Sequence, residues 1–182
     1  MACIKKLNSD ILFDCANFAV IGGVGNVDEL VLINSDDIST VSIVNGLATV
    51  TMKTGTKGFT ANSIRNSISY ADAIKTSDVA PNMEEHSIII KLMTTNTVDA
   101  AEFSVLRQQL LGGKFRAAFK STTTGLYYLA GALAGLEAND LATDSATDGV
   151  TTITLKTPDA SLGDTLAGLT KVAYDKLKVA AT

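Results

Sequence analysis

The chain has few of the residues that build fibrous, disulfide-rich or zinc-binding proteins: its 182 residues include two prolines, two cysteines and one histidine. Two prolines beside 14 glycines exclude collagen-like and proline-rich extended architectures. Cys3 and Cys15 are too few for a disulfide scaffold, and adding His86 still leaves too few ligands for a zinc site. We therefore expect two free thiols in a reducing compartment.

Positive charge is also scarce. Fifteen Lys and Arg residues stand against 19 Asp and Glu residues, so the net charge is −4, and the longest basic run is Lys5-Lys6. Nucleic-acid-binding proteins usually carry a basic face that contacts phosphates, so this balance argues against a conventional nucleic-acid binder. An acidic protein in contact with DNA would repel the DNA and let it pass.

The sequence lacks a long hydrophobic run. The longest nearly uncharged stretch, residues 15–27, is interrupted by Gly22, Gly23 and Gly25. It is shorter than the roughly 18 continuous apolar residues of a membrane span, and no secretion signal follows Met1. With a hydrophobic fraction of 46%, we expect a soluble globular protein made in the cytoplasm, with one domain over residues 1–182.

Alternation of apolar and polar residues predicts a chain built mainly of β-strands. The clearest signal is Asn45-Gly46 between two alternating runs, because both residues tolerate the positive φ of a two-residue hairpin turn. The run Ile88-Ile89-Ile90 predicts a strand that is apolar on both faces, in the centre of a sheet. Strands are predicted over residues 27–34, 39–44, 47–53, 84–93, 114–120, 126–130 and 150–157, with shorter pieces in 57–76 and at Gly135-Leu136.

Two helices are predicted. Residues 98–111 carry an apolar stripe that includes Val105 and Leu110, with Thr97 as a cap, and residues 162–179 carry a second stripe. Residues 138–149 read as an exposed loop, and residues 1–26 as an N-terminal arm. Since the strands come in runs, we expect a mainly β (α+β) fold. It would be an antiparallel β-sandwich or barrel with one packed internal helix and a C-terminal helix.

The partial motifs each have an ordinary structural interpretation. Gly23-Val24-Gly25 resembles part of a dinucleotide-binding turn, but Asp28 stands at the third glycine position and a strand follows, so a flexible loop is favoured. His86 beside Glu84 and Glu85 is interpreted as a surface histidine at a strand end, since no partner motif frames it.

Aspartates and tyrosines give two further weak signals. Asp36-Asp37 and the series Asp140, Asp144 and Asp148 lack calcium-loop spacing and are interpreted as a turn and a solvated loop. In the pair Tyr127-Tyr128 we expect one ring in the core and one facing outward, a hint of an interface. No catalytic, cofactor-binding or metal-binding residue is predicted, and we do not expect an enzyme.

Three groups of residues carry a family resemblance. They are Cys15-Ala16-Asn17 with Gly22 and the run LINSDDI at 32–38; Gly113-Lys114-Phe115 with the following segment to Gly135-Leu136; and the alternating strand at 150–155. In these groups the chain resembles virion structural proteins of tailed phages and prophages of Bacteroidetes, crAss-like phages among them. The family often has proline after the C-x-N motif, where this chain has Phe18.

The order of the predicted elements is also similar to the tail-tube fold of tailed phages, a β-sandwich with a flanking helix. This resemblance implies a self-assembling ring, a hexamer or dodecamer, that occurs in the virion, contacts other tail, neck or portal proteins and lets genomic DNA pass. Residues 4–24 and 54–83 are the candidate assembly elements. The alternatives are a head–tail connector, a capsid-associated or packaged virion protein, and a small-molecule-binding or hydrolytic domain.

Overall fold

The computed structural model describes residues 6–11, 27–62, 67–76, 78, 81–92, 100–143 and 150–182. Strands account for 52% of it and helices for 16%, so the prediction of a mainly β chain is confirmed. The strands are β1 Val27–Asn34, β2 Ile38–Val44, β3 Leu47–Met52, β4 Phe59–Asn62, β5 Ile68–Lys75, β6 Met83–Leu92, β7 Lys114–Ser121, β8 Tyr127–Ala130, β9 Leu136–Thr143, β10 Thr151–Lys156 and β11 Ala167–Leu169. The helices are α1 Ala100–Gly112 and α2 Lys171–Lys176.

The strands form one open mixed sheet with the order β2-β3-β11-β8-β7-β9-β10-β6-β5. Strand β7 is also paired with β1, and β1 with β4. Pairing is antiparallel except between β11 and β3, where Gly168 lies opposite Leu47 in parallel. We expected a wholly antiparallel sheet, but the sheet is mixed. The short strand β11 lies between β8 and the hairpin end of β3 and is parallel to β3.

Hydrophobic residues form two cores on opposite faces of β1 and β7. In β1, Leu30 and Leu32 point into the first core, whereas Val31 and Ile33 point into the second. This strand is buried on both faces, as its nearly continuous apolar run favours. The first core also contains Ile68, Ile88, Ile90, Leu92, Phe115, Phe119, Ile153 and Leu155, and the second contains Ile38, Ala48, Leu129, Leu169, Tyr174 and Leu177.

The hairpin and the central strand lie where the sequence predicts them. Strands β2 and β3 meet at Asn45 (φ 52°) and Gly46 (φ 78°), the left-handed pair that a tight hairpin turn requires. Strand β6 lies between β5 and β10. Its burial alternates, however: Ile88 and Ile90 are fully buried while Ile89 is half-buried on the other face.

The internal helix α1 matches the predicted segment 98–111 to within one residue at its C-terminal end, and the predicted cap Thr97 and residues 98–99 fall outside the described part. The predicted apolar stripe is only partly right, because Leu110 is buried but Val105 is 37% exposed. The buried face of the helix carries Gln109 beside Leu110. The sheet therefore contacts the end of the helix and leaves much of the stripe open to solvent.

The long C-terminal helix predicted over 162–179 is wrong, since α2 spans only Lys171–Lys176. Gly163 has a φ of 126°, which no helix allows, and residues 167–169 pair with β8 as strand β11. The Thr170 side chain then accepts a hydrogen bond from the Ala173 amide and begins the short helix. Tertiary strand pairing has overridden a helical spacing of leucines.

The structure describes only parts of the predicted loop 138–149 and of the predicted arm 1–26. Residues 138–143 belong to β9 and pair with β10, so the loop prediction is wrong there, while 144–149 lie outside the described residues. Residues 6–11 pack on the first core through the buried side chains of Leu7 and Ile11. The Asn34 side chain bonds both the amide and the carbonyl of Leu7, at 2.9 Å each. The remaining arm residues, 1–5 and 12–26, are not described.

Candidate assembly surface

In the described part of the chain three strands, β2, β4 and β5, have a partner strand on one side only, and β2 and β5 are the two ends of the strand order given above. The unpaired side of such a strand presents backbone N–H and C=O groups on which another strand can be added. We call these two sides the β2 edge and the β5 edge.

The β2 edge is uncharged. Its strand reads ISTVSIV, without lysine, acid or proline. Val44 at its end is 66% exposed, and Leu47 across the turn is 50% exposed. Monomeric proteins usually protect an edge strand with charge, proline or a covering segment, because a bare edge pairs with other chains. The β2 edge has no such charge or proline.

The β5 edge is exposed over its second half, where residues 71–74 are all accessible. Ile74 is 75% exposed, more than any other large hydrophobic side chain that the structure describes. The Lys75 ammonium donates to the carbonyls of Pro158 and Asp159, at 2.8 and 3.1 Å. The Lys75 ammonium is therefore bound to its own chain. The charged group exposed beside Ile74 is the carboxylate of Asp72.

Strand β4 shows the contrasting case of a covered edge. The amide of Ile11 donates to the Thr60 carbonyl at 2.9 Å, and Ile11 forms a parallel bridge with Ala61. The Asp10 carboxylate accepts a hydrogen bond from the Thr60 amide at 2.8 Å. Residues 10–11 thus occupy this side of β4, whereas β2 and β5 have no corresponding segment among the described residues.

An open groove of about 1000 Å³ lies between β3 and α2. Its lining is largely apolar and includes Met52, Val172 and Val179. At its rim, Asp175 forms ion pairs with Lys171 and Lys178. The hydrogen bond from Lys171 lowers the pKa of Asp175 and raises the pKa of Lys171.

His86 is fully buried, so its interpretation as a surface histidine is wrong. Its Nδ1 lies 2.9 Å from Tyr70 Oη, and its Nε2 lies 3.6 Å from Glu84 Oε2. Burial lowers the pKa of His86, and the nearby carboxylates of Asp164, Glu84 and Asp72 oppose this shift. The signal that could have placed it is the alternation of β6, since His86 shares the inward face with Ile88 and Ile90.

Asp164 is another buried polar residue, 1% exposed, for which the sequence pattern predicted no site. Its carboxylate accepts hydrogen bonds from the amides of Leu133 (3.1 Å), Ala134 (2.9 Å) and Thr165 (2.7 Å). It therefore fastens the turn between β8 and β9 to the segment that leads into β11. Burial lowers the pKa of Arg116, and the charge of Asp164 opposes that shift.

Of the other aspartates, Asp36 and Asp37 lie in a short 3-10 turn over Ser35–Asp37, so their interpretation as a turn is confirmed. The Asp37 carboxylate accepts hydrogen bonds from the Lys6 ammonium at 2.6 Å and from the side-chain amide of Asn34 at 2.8 Å. Burial raises the pKa of Asp37, but these hydrogen bonds outweigh it and the net shift is downward.

Asp140 lies on β9 and not in a loop. Among the described residues, no group of His, Cys, Asp and Glu side chains is arranged to hold a metal ion.

The two tyrosines of β8 point to opposite faces, as predicted, but neither ring is free. Tyr128 packs against Phe119 in the first core, with ring centroids 5.7 Å apart. Tyr127 packs against Tyr174 in the second core, at 4.8 Å. The expectation of one outward ring is wrong because both faces of this part of the sheet are covered. Cys3, Cys15 and the Gly23-Val24-Gly25 loop lie outside the described residues.

Comparison of the chain with known protein families, with curated proteins and with solved structures finds no match. Of the helices that the structure describes, none is long and apolar enough to cross a membrane.

Proposed function

We propose that the protein is a non-enzymatic structural subunit of a tailed-phage virion, which self-assembles into a ring of the tail tube or neck through which DNA passes. The observation that carries this proposal is the pair of edges, β2 and β5, that lie at the two ends of the strand order and have no partner strand among the described residues. The sequence resemblance to phage virion proteins gives the biological setting. The two cores on opposite faces of β1 and β7 favour the layered, sandwich-like tail-tube fold.

Assembly would proceed by strand addition between neighbouring copies. Because the β2 edge and the β5 edge are different surfaces, their pairing is head-to-tail, and such contacts close into a ring when the rotation between copies allows it. The strands have similar lengths, seven residues in β2 and eight in β5. A closed ring leaves neither edge unpaired, which accounts for a β2 edge without protective charge.

The net charge of −4 suits a DNA conduit, because an acidic wall repels phosphate and does not retain the DNA. If the same edges pair with a different virion protein, the chain is instead a connector or a capsid-associated protein. The apolar groove between β3 and α2 is the feature that a small-molecule-binding domain would use.

A pair of matched lysine variants tests the proposal. Ser42 on β2 and Thr49 on β3 lie directly opposite each other and are both exposed, so Ser42→Lys and Thr49→Lys add the same charge one strand apart. A lysine on an edge strand disfavours pairing with another chain. We expect size-exclusion chromatography with light scattering to show that Ser42→Lys reduces the wild-type assembly to monomers while Thr49→Lys leaves it intact.

Assembly that survives in Ser42→Lys would contradict pairing through the β2 edge. Loss of assembly in both variants would place the contact on the face or groove beside Thr49 and contradict edge pairing. A wild-type protein that stays monomeric at every concentration contradicts self-assembly itself.

A further inference from the structure

The segment that joins β10 to β11, residues 157–166, is fastened to β6 at two residues, His86 and Glu84. At His86, the Thr157 amide donates to the His86 carbonyl and the His86 amide donates to Thr157 Oγ1, both at 2.9 Å. At Glu84, the backbone exchanges hydrogen bonds with Asp164 at 2.8 and 3.1 Å. The segment that positions β11 therefore depends on these two residues of β6.

The Glu84 carboxylate lies between two possible donors. Its Oε2 accepts a hydrogen bond from the Leu166 amide at 2.6 Å, immediately before β11 begins. The same oxygen lies 3.6 Å from His86 Nε2, a buried nitrogen that makes no hydrogen bond of good geometry among the described residues. The Thr165 carbonyl is a second acceptor beside the ring. A neutral imidazole draws the carboxylate weakly, whereas an imidazolium would form a charge-assisted hydrogen bond with it.

We propose that His86 and Glu84 form a proton-operated latch: protonation of His86 draws the Glu84 carboxylate from the Leu166 amide to Nε2 and loosens the chain at the start of β11. A proton taken from solvent leaves both ring nitrogens carrying hydrogen. Nε2–H then donates to Glu84 and Nδ1–H to Tyr70 Oη. No covalent bond changes.

The groups that face His86 explain why Glu84 is the one that moves. They are Tyr70 and Asp72 on β5, Glu84 on β6, and Asp164 and the Thr165 carbonyl on the linking segment. The Thr165 carbonyl belongs to the backbone and cannot move as a side chain does. Asp164 is buried and held by three backbone amides. The Glu84 side chain is 47% exposed and has room to rotate. Because burial lowers the pKa of His86, the latch would open below the ordinary histidine value of 6.5.

The position of β11 gives the latch its effect. This strand pairs with β8 on one side and contacts β3 on the other, where the Gly168 amide donates to the Gly46 carbonyl at 2.8 Å. Loss of the hydrogen bond at Leu166 would therefore weaken the contact between β11 and the β2–β3 hairpin, which carries the β2 edge. The latch itself does not depend on the proposed function.

The test is amide hydrogen exchange by NMR on the full chain, expressed as protection factors so that the intrinsic pH dependence cancels. We expect the protection of the Leu166 amide to fall about tenfold between pH 8 and pH 5.5, the change expected for one hydrogen bond to a charged group. The midpoint should coincide with that of the His86 ring-proton shifts. A Leu166 protection that stays constant while the His86 ring protons titrate, or that changes with a different midpoint, overturns the latch.

Three variants separate the latch from simpler titrations. Glu84→Gln keeps an acceptor for Leu166 but has no charge for the imidazolium to attract, so the fall should disappear. Glu85→Gln is the matched control on the opposite face of β6, where Glu85 pairs with Lys156 at 3.2 Å, and the fall should remain. An equal fall in both variants, or a fall that persists in His86→Phe, would assign the response to another group and contradict the proposal.

Discussion

The buried carboxylate of Asp164 gives the sharpest stability prediction, because the structure shows what it holds. Its oxygens accept hydrogen bonds from the amides of Leu133, Ala134 and Thr165, at 2.7 to 3.1 Å. In Asp164→Asn the side chain keeps its shape but loses its charge, and its NH₂ group faces an amide that needs an acceptor. Backbone N–H groups that bonded a charged acceptor are then paired weakly or left without a partner.

The magnitude follows from these bonds. A hydrogen bond to a charged group contributes about 1 kcal/mol more than a neutral one, and an unsatisfied buried donor costs about 1–3 kcal/mol. Leu133 is exposed and Ala134 is half-buried, so water offsets part of the loss. We therefore expect Asp164→Asn to lower the free energy of unfolding by about 3 kcal/mol.

The assay is urea unfolding at pH 7, with the midpoint and slope fitted together. Asp140→Asn is the matched control, since Asp140 is exposed on β9 and the same charge is removed. We expect that variant to stay within about 0.5 kcal/mol of wild type. A loss below about 1 kcal/mol in Asp164→Asn, or equal losses in the two variants, would refute the role given to this carboxylate.

Two further predictions concern His86 and Gly113. Because the pKa of His86 is lowered in the folded protein, the unfolded chain takes up a proton on this residue at a higher pH than the folded chain does. The free energy of unfolding should therefore be constant above pH 6.5 and fall as the pH drops toward the lower pKa of the folded protein. Urea midpoints measured from pH 8 to pH 5 should show this fall in wild type and not in His86→Phe; identical curves would contradict it. At Gly113 an added Cβ would lie 2.2 Å from the Phe115 ring and 2.8 Å from the Gln109 carbonyl oxygen. Gly113→Ala should therefore cost about 1–3 kcal/mol in the same assay, and Thr123→Ala in an exposed turn almost nothing; equal effects would show that the ring moves aside freely.

Local patterns predicted those elements whose structure is decided locally. Strand β1 has the predicted bounds because its apolar run is buried on both faces, and the turn at Asn45 and Gly46 follows from residues that accept positive φ. Strand β10 alternates as its sequence does, with Ile153 and Leu155 buried. In these cases the residues that carry the signal are also the residues that form the element.

The errors came from interactions between distant parts of the chain. Leucines at helical spacing favoured a helix from residue 162, but residues 167–169 pair with β8, and that pairing is invisible to a local pattern. His86 was interpreted as a surface residue because no partner motif frames it, yet the neighbouring Glu84 bonds the Leu166 amide 82 residues away. The two edges of the sheet were equally hidden, because strand order depends on the whole topology.

Size-exclusion chromatography with light scattering tests most directly whether the two sheet edges join neighbouring copies. The wild-type protein is measured over a range of concentrations, and negative-stain images are taken of the same peak. Edge pairing predicts a multiple of the 19.0 kDa chain and closed rings or stacked tubes in the images. A single species of monomer mass at the highest concentration, with no rings in the images, would contradict it.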